Sequence, residues 1–260
     1  MSKRKWLTIV NICIFIWQIT GISLNGQSHQ YFGLQERQGD YTPENIAIFN
    51  EDSVKVPLKT IIDKPTLFTF VYYRCPNLCP SLLEGVAELV NYSNSVPEKD
   101  YQIITLSINH RESIKEARIK KTHYYKLLQK ETSPYFWRFF TADSTTVKNL
   151  TKALGWGFKE EGEGNFVHVT SSILITPNGM ISQYFYGTYF NYMHFDMSVE
   201  KAKAEQVVPT RLKTLKYCYN YKPQKNEKVV ISTVVFGVLV VVAILILFMS
   251  LSVFNKGKMY

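Results

Sequence analysis

An α/β sandwich built around a mixed β-sheet is the fold class that this 260-residue sequence predicts. Three observations carry the expectation. From Thr66 onward, apolar strand-like runs alternate with segments of helical spacing. A Pro177-Asn178-Gly179 turn then closes an antiparallel hairpin, so the sheet is not wholly parallel. Apolar segments at both ends stand apart from this middle, which keeps roughly 180 residues, enough for one core.

Each element follows in order. Residues 46–49 and 54–57 flank the turn-forming Asn50-Glu51-Asp52-Ser53 and read as a first hairpin. Residues 66–73 are apolar or aromatic almost throughout, as in a strand covered on both faces. Pro80 suits a first helical turn, and Leu82, Leu83, Val86, Ala87 and Val90 keep helical spacing after it. A second strand is predicted over 101–108, then a charged helix over 113–130 capped by Ser113. A short strand covers 137–141, and Asp143 or Ser144 caps a helix that Gly155 ends. Residues 167–176 and 180–186 form the hairpin, and helix broken near Pro209 is expected over 198–219. Thioredoxin-like folds have this order and place paired cysteines where the first core strand meets its helix. A fold by itself does not establish function.

The ends carry most of the charge. Lys3-Arg4-Lys5 precede an apolar segment over 6–24, and the small Gly21, Ser23 and Gly26 follow its middle. Residues 1–26 therefore read as a signal peptide, or as an N-terminal anchor if uncleaved. Cys13 falls there as apolar bulk, because Asn11-Ile12 lacks the small residues of a lipoprotein site. Residues 27–45 read as a linker and 46–222 as the folded domain. Residues 229–254 carry no charge, and their 26 positions exceed the roughly 20 that cross a bilayer as a helix. A transmembrane helix with a short tail over 255–260 is expected.

Positive residues before that span (Arg211, Lys213, Lys216, Lys222, Lys225, Lys228) outnumber Lys256 and Lys258 after it. Alone, they would hold the domain in the cytoplasm. An export signal acts first and places the domain outside. With the basic residues gathered beside the apolar ends, the net charge of +9 leaves the globular part near neutral. That excludes a nucleic-acid-binding face and fits attraction to anionic headgroups.

The chain has four cysteines, two of them in Cys75-Pro76-Asn77-Leu78-Cys79-Pro80. Cys79 is expected at the cap of the helix begun by Pro80, where the helix dipole and free N–H groups favour a thiolate. Cys75, one turn earlier, brings its sulfur towards the same point, and Pro76 and Pro80 restrict the backbone. Three residues separate the thiols, against two in thioredoxin-type redox motifs. The wider spacing lets both sulfurs hold one metal ion and still permits a disulfide. Three thiols outside the signal segment are too few for a disulfide scaffold.

Counting donors narrows the metal. Iron–sulfur clusters usually need four cysteines, and only three lie outside the signal segment; the haem motif needs a histidine after its second cysteine, and that is absent. Structural zinc takes four nitrogen or sulfur ligands. Two thiolates and one imidazole at low coordination number suit copper. Of the five histidines, His29 lies in the linker and His123 in a charged helix. His110 follows a strand, His194 stands beside Met193 in an aromatic loop, and His168 opens the strand of the second hairpin. The residues alone make His168 a candidate third ligand, with a structural histidine as the alternative.

Three ordered motifs carry a resemblance. Residues 70–80 (Phe-Val-Tyr-Tyr-Arg-Cys-Pro-Asn-Leu-Cys-Pro), 104–113 (Ile-Thr-Leu-Ser-Ile-Asn-His-Arg-Glu-Ser) and 167–187 around His168 resemble the Sco/SenC family of cytochrome c oxidase assembly proteins. The tail 216–223, leading into an apolar span, is similar to a bacterial branch anchored at its C-terminus. The resemblance covers about residues 45–254 and implies a thioredoxin-like fold that binds one copper ion, Cu(I) or Cu(II), through Cys75, Cys79 and His168. It implies a metallochaperone that assists the Cu-A centre of cytochrome c oxidase subunit II from the periplasmic side of a bacterial inner membrane. It leaves the upstream copper donor open. Asn77 and Asn109 stand where the family often has aspartate, which removes negative charge near the metal.

Other readings compete. A membrane-tethered thiol–disulfide oxidoreductase needs Cys75 and Cys79 as its redox pair but not His168. A peroxidase needs an activated thiolate beside an arginine, for which Arg74 is the candidate. A disulfide brace between Cys75 and Cys79 is the structural alternative, though so short a loop constrains the unfolded chain little. Cys218 reads as a packed or idle thiol beside the membrane, with transient disulfide exchange as its other role.

Overall fold

The computed structural model describes residues 33–162, 164–210, 217–218 and 240. The chain divides into two compact units, Met1–Asn220 and Tyr221–Tyr260. Val240 alone is described in the second, so the fold below is that of the first. The expected signal segment and, apart from Val240, the expected membrane span lie outside the described residues. No helix among the described residues is long and apolar enough to cross a membrane.

Strands β1 (Ala47–Phe49) and β2 (Lys55–Pro57) pair antiparallel and lead into the one-turn helix α1 (Leu58–Ile61). The Asn50 side chain makes the turn between them, accepting from the N–H groups of Asp52 and Val54 at 2.9 Å. Strand β3 (Thr66–Val71) is buried at all six positions and feeds helix α2 (Leu78–Tyr92). Strand β4 (Gln102–Ser107), equally buried, is followed by helix α3 (Ile114–Tyr125). Strand β5 (Trp137–Phe140) precedes helix α4 (Ser144–Ala153), capped by the Asp143 side chain accepting from the Thr146 N–H.

The second half is strand-rich. It runs through β6 (Phe158–Glu160), β7 (Phe166–Val169), β8 (Ser171–Ile175), β9 (Ile181–Tyr186), α5 (Tyr192–Lys203) and β10 (Tyr217–Cys218). The main sheet has the order β5-β4-β3-β8-β9. β3 pairs parallel with β4 and antiparallel with β8, so the apolar run at 66–71 becomes the central strand. Covered on both faces, it needs no polar alternation. The mixed five-stranded sheet with its helices is consistent with a thioredoxin-like fold.

Several boundaries depart from the sequence expectation, each for a local reason. The run 167–176 is not one strand. It divides at Thr170, whose carbonyl accepts from Gly187, and β7 joins β6 and β10 in a separate three-stranded sheet. Periodicity cannot report a change of partner within one apolar run. Helix α2 starts two residues before Pro80, so Cys79 lies inside its first turn rather than at the cap. Pro80 fits because first-turn N–H groups lack intrahelical partners anyway. Helix α3 stops at Tyr125, where the Asn91 side chain clasps the next turn by binding the Leu127 carbonyl and the Gln129 N–H. The last helix begins earlier than 198, at Tyr192, because the Asn191 side chain caps it through the His194 N–H. Residues 217–218 are strand, not helix. Residues 33–45 lie along the domain, with Gln35, Gly39 and Thr42 donating to the carbonyls of Gly155, Ile181 and Gly179.

One glycine on α2 fixes how the chain crosses that helix. A Cβ on Gly85 would stand 1.9 Å from the Thr188 carbonyl oxygen, in the loop that enters α5. Helix propensity favours alanine over glycine by about 1 kcal/mol, whereas forced overpacking costs about 1–3 kcal/mol. Gly85→Ala is therefore expected to lower stability despite the better helix former. Urea unfolding midpoints check it, and a rise in midpoint would contradict the close approach.

Candidate metal centre

Strand β3 ends at Val71 and the chain turns through 72–77 before α2 begins. The turn is closed by the Cys75 N–H donating to the Tyr72 carbonyl at 3.1 Å. It is also held from outside by Glu112, in the loop between β4 and α3. The Glu112 carboxylate accepts from the N–H groups of Tyr73 (2.6 Å) and Arg74 (2.8 Å) and from the Ser107 hydroxyl (2.6 Å). Burial pushes its pKa above the usual carboxylate value, against the pull of those donors. The backbone just before the first cysteine thus hangs on one buried side chain.

Cys75 and Cys79 are both buried, at 4% and 3% exposure, with no disulfide between them. Cys79 lies in the first turn of α2, where the helix N-terminus favours a thiolate. His168, 1% exposed, is in the middle strand of the small sheet. Its Nε2 lies 3.6 Å from the Cys79 sulfur. Its Nδ1 lies 2.9 Å from the Val169 carbonyl, which can only accept, so Nδ1 carries the proton and Nε2 presents a lone pair. Metal-ligating histidines are commonly fixed in this way. Burial lowers the His168 pKa, while the Val169 carbonyl and the Cys75 charge act to raise it. A neutral imidazole is the form that binds metal.

The spacing fits a shared ion. Metal–sulfur and metal–nitrogen bonds of about 2.3 and 2.0 Å, at angles of about 110–120°, put the two donor atoms about 3.5–3.7 Å apart. Cys79 and His168 stand at that distance. Cys75 is close enough for its charge to act on the imidazole. Among the described residues, however, no three His, Cys, Asp or Glu side chains close into one metal-binding group. The fold brings two of the three expected donors together and holds the third on the adjoining loop.

Aromatic rings wall the imidazole. The Trp156 ring lies 5.0 Å from that of His168, and the Tyr72 ring meets it edge-on at 6.2 Å. The Trp156 Nε1–H donates to the Ser171 hydroxyl at 3.1 Å. Neither Glu112 nor Trp156 was among the sequence candidates. An acidic residue in a polar loop carries no local signal of what it will hold, and a tryptophan after a helix-ending glycine reads as core.

The remaining candidates fall away from the pair. His110 and His123 are exposed, and His194 contacts Gln183 and the Phe185 ring. His29 lies outside the described residues. The Arg74 guanidinium is paired with Glu116 on the surface. Asn77 is exposed at the start of α2, and Asn109 is buried, where its side chain shapes the loop by accepting from the Arg111 N–H at 3.1 Å.

Glu116 connects that arginine to the N-terminus of α3, forming a capping box with Ser113. Hydrogen bonds from Ser113 and Arg74 draw its pKa from 4.5 down to about 2. A depressed carboxylate contributes stability that is present above its unfolded value and lost as pH falls through its folded one. The melting temperature of the wild type is expected to exceed that of Glu116→Gln at pH 5, and the gap to close between about pH 4.5 and 2. A gap that stayed constant across this window would contradict the assignment.

The fold and site define a class: a mixed α/β domain with a buried thiol–imidazole pair at the junction of its central strand and first long helix. More particularly, the fold is that of the Sco/SenC proteins. BsSco, a member of the Sco family of cytochrome c oxidase assembly proteins in which a disulfide switch was identified, superposes with a TM-score of 0.50 and 19% identity, over 65% of this chain and 98% of its own. Arabidopsis thaliana ScoI with copper bound gives 0.50 and 15%, over 62% and 96%. A candidate electron-transfer protein from Aquifex aeolicus VF5 gives 0.55 and 23%, over 65% and 95%. No family model and no curated protein matches the chain.

Proposed function

We propose that this chain is a copper-binding assembly factor of the Sco/SenC kind. It would hold one copper ion through Cys75, Cys79 and His168 and pass it to a cytochrome c oxidase, at the Cu-A centre of subunit II. The observation that carries this reading is the Cys79–His168 contact with its proton locked on Nδ1. Likeness of fold to a ScoI solved with copper bound and to BsSco supports it. Tethering to the outer face of a bacterial inner membrane belongs to the same proposal and rests on the two apolar ends of the sequence.

The chemistry is ligand exchange. Two thiolates suit the soft cuprous ion, and a neutral imidazole completes a low-coordinate site without adding charge. Cys75 sits between the exposed Arg74 and Pro76, on the side from which a client thiolate would approach. Each incoming sulfur can displace one outgoing sulfur, so the ion need never be released to water.

The test is copper content of the full chain. About one copper per chain is expected in the wild type, falling to background when Cys75 and Cys79 are both replaced by alanine, a larger loss than the ~10–100-fold of outer-shell changes. Undiminished copper in the double variant overturns the proposal. A thiol–disulfide exchange role has one observation in its favour, the position of Cys79 in the first turn of α2, which activates it as a nucleophile. His168→Ala separates the two readings. Loss of oxidase assembly by that variant supports the copper carrier, and full assembly supports the thiol reductant.

A further inference from the structure

Beside the metal centre lies an open cleft of about 640 Å³, lined by helix α4, by the start of the described chain and by residues 155–160. Main-chain bonds build it. The Gln35 N–H donates to the Gly155 carbonyl at 2.8 Å, and the Gly157 N–H to the Gly33 carbonyl at 2.9 Å. Gly155 permits the approach, because its φ is +61° and a Cβ there would stand 1.8 Å from the Gln35 carbonyl oxygen. Four cations line the cleft, Arg37, Lys148, Lys152 and Lys159, against one carboxylate, Glu160, which Arg111 holds at 2.6 Å. Arg37 lies 3.8 Å from Asp40 and Lys159 lies 3.3 Å from Glu161, both exposed pairs of the kind that binds weakly. Lys148 and Lys152 enter no ion pair among the described residues. The Arg37 Nε is buried with no hydrogen-bond partner among them. On a globular part that is near neutral, the cluster is a local feature and not a share of bulk charge.

We infer that this cleft seats an extended acidic segment of the protein that receives the copper ion; the inference rests on the copper-binding reading above. Spacing selects the ligand class. Lys148 and Lys152 stand one helical turn apart, about 6 Å along the axis at about 1.5 Å per residue. Alternate side chains of an extended chain project to one side about 6.6 Å apart. Carboxylates at every second residue therefore match the two lysines in step, and Arg37 and Lys159 add attraction for the rest of the segment. Position selects the partner. Trp156 and Phe158 line the cleft, and the same two residues adjoin the proposed imidazole ligand. The Trp156 ring lies 5.0 Å from that of His168, and Phe158 is opposite His168 in the β6–β7 ladder. A protein held here by its acidic segment has its thiols beside the donors, where each can displace one of Cys75 and Cys79 in turn. Copper keeps its charge in that exchange, and each arriving thiol passes its proton to the departing sulfur. Complementary charge raises the rate of encounter above that of a neutral pair.

The probe is a fluorescein-labelled peptide of alternating glutamate and serine, added to the full-length chain at low salt and followed by fluorescence anisotropy. Joint replacement Lys148→Glu and Lys152→Glu is expected to weaken its binding at least about tenfold, since like charges then face each other. Both lysines are exposed on α4, so copper content and circular dichroism should stay at wild-type values. Joint replacement by glutamine, which adds no repulsion, should give an intermediate loss. A peptide of the same composition with its glutamates in one block should bind more weakly than the alternating one. A second measurement reads transfer: the alternating peptide, extended by two cysteines, should take Cu(I) from the loaded wild type about tenfold faster than from the glutamate variant. Equal binding by wild type and variant, equal binding of the alternating and blocked peptides, or equal transfer rates overturn the docking assignment and leave the copper reading standing. A wild type that takes up no Cu(I) overturns the copper reading and the recipient with it, even where the peptide binds.

Discussion

Glu112→Ala is expected to cost about 3 kcal/mol of folding stability and to weaken copper binding without touching a proposed ligand. Three donors converge on this carboxylate: the backbone N–H groups of Tyr73 and Arg74 and the Ser107 hydroxyl. Alanine leaves at least the Tyr73 N–H and the Ser107 hydroxyl buried without this acceptor, and unmet buried donors cost about 1–3 kcal/mol each. Part of that loss is offset, because a buried carboxylate is itself penalised by desolvation. Glu112→Gln keeps an acceptor oxygen and most of the volume, so a loss nearer 1 kcal/mol is expected. Urea unfolding ranks the three proteins. If alanine and glutamine cost the same, the carboxylate is not the anchor of the cysteine loop. Copper affinity should fall with stability in the same order, since the loop that carries Cys75 would lose its fixed start.

Trp156→Ala is the second large effect, expected at about 3–5 kcal/mol for a fully buried tryptophan. The ring is 1% exposed and packs between Phe70, at 4.9 Å, and His168, at 5.0 Å. Its removal opens a cavity between the two sheets and takes away the wall that orients the imidazole. Copper affinity is expected to drop by roughly 10–100-fold, the range for lost outer-shell support. Trp156→Phe should recover most of the stability while losing the Nε1–H bond to Ser171. Chemical denaturation with copper titration separates the two losses. A loss under about 1 kcal/mol for alanine would mean that the ring is not part of the core.

Much of the site was legible in the chain itself. The junction of an unbroken apolar run with an amphipathic one located the strand-to-helix corner, and the cysteine spacing marked that corner as chemical. Local signals sufficed because the residues involved are neighbours in sequence. Asn50 as a turn former, Ser113 as a cap and Gly155 as a helix stop were readable for the same reason. His168 was different. Sequence physics offered five histidines, and only the resemblance raised this one above the rest.

What the chain could not declare was pairing. The division at Thr170 sends β7 to one sheet and β8 to another, and this sets the His168 ring against Cys79. β6 is a short, partly exposed strand with no alternation to betray it. Glu112 reached Tyr73 across the sheet, and Cys218 reached the register of His168 through a two-residue strand expected as helix. Composition and spacing thus determined which residue types this protein could bring to a metal: two thiols on a short constrained loop and a few imidazoles. Tertiary structure decided that the His168 imidazole approaches them. Hydrogen-bond ladders join residues far apart in the chain, and no local propensity encodes a partner's address.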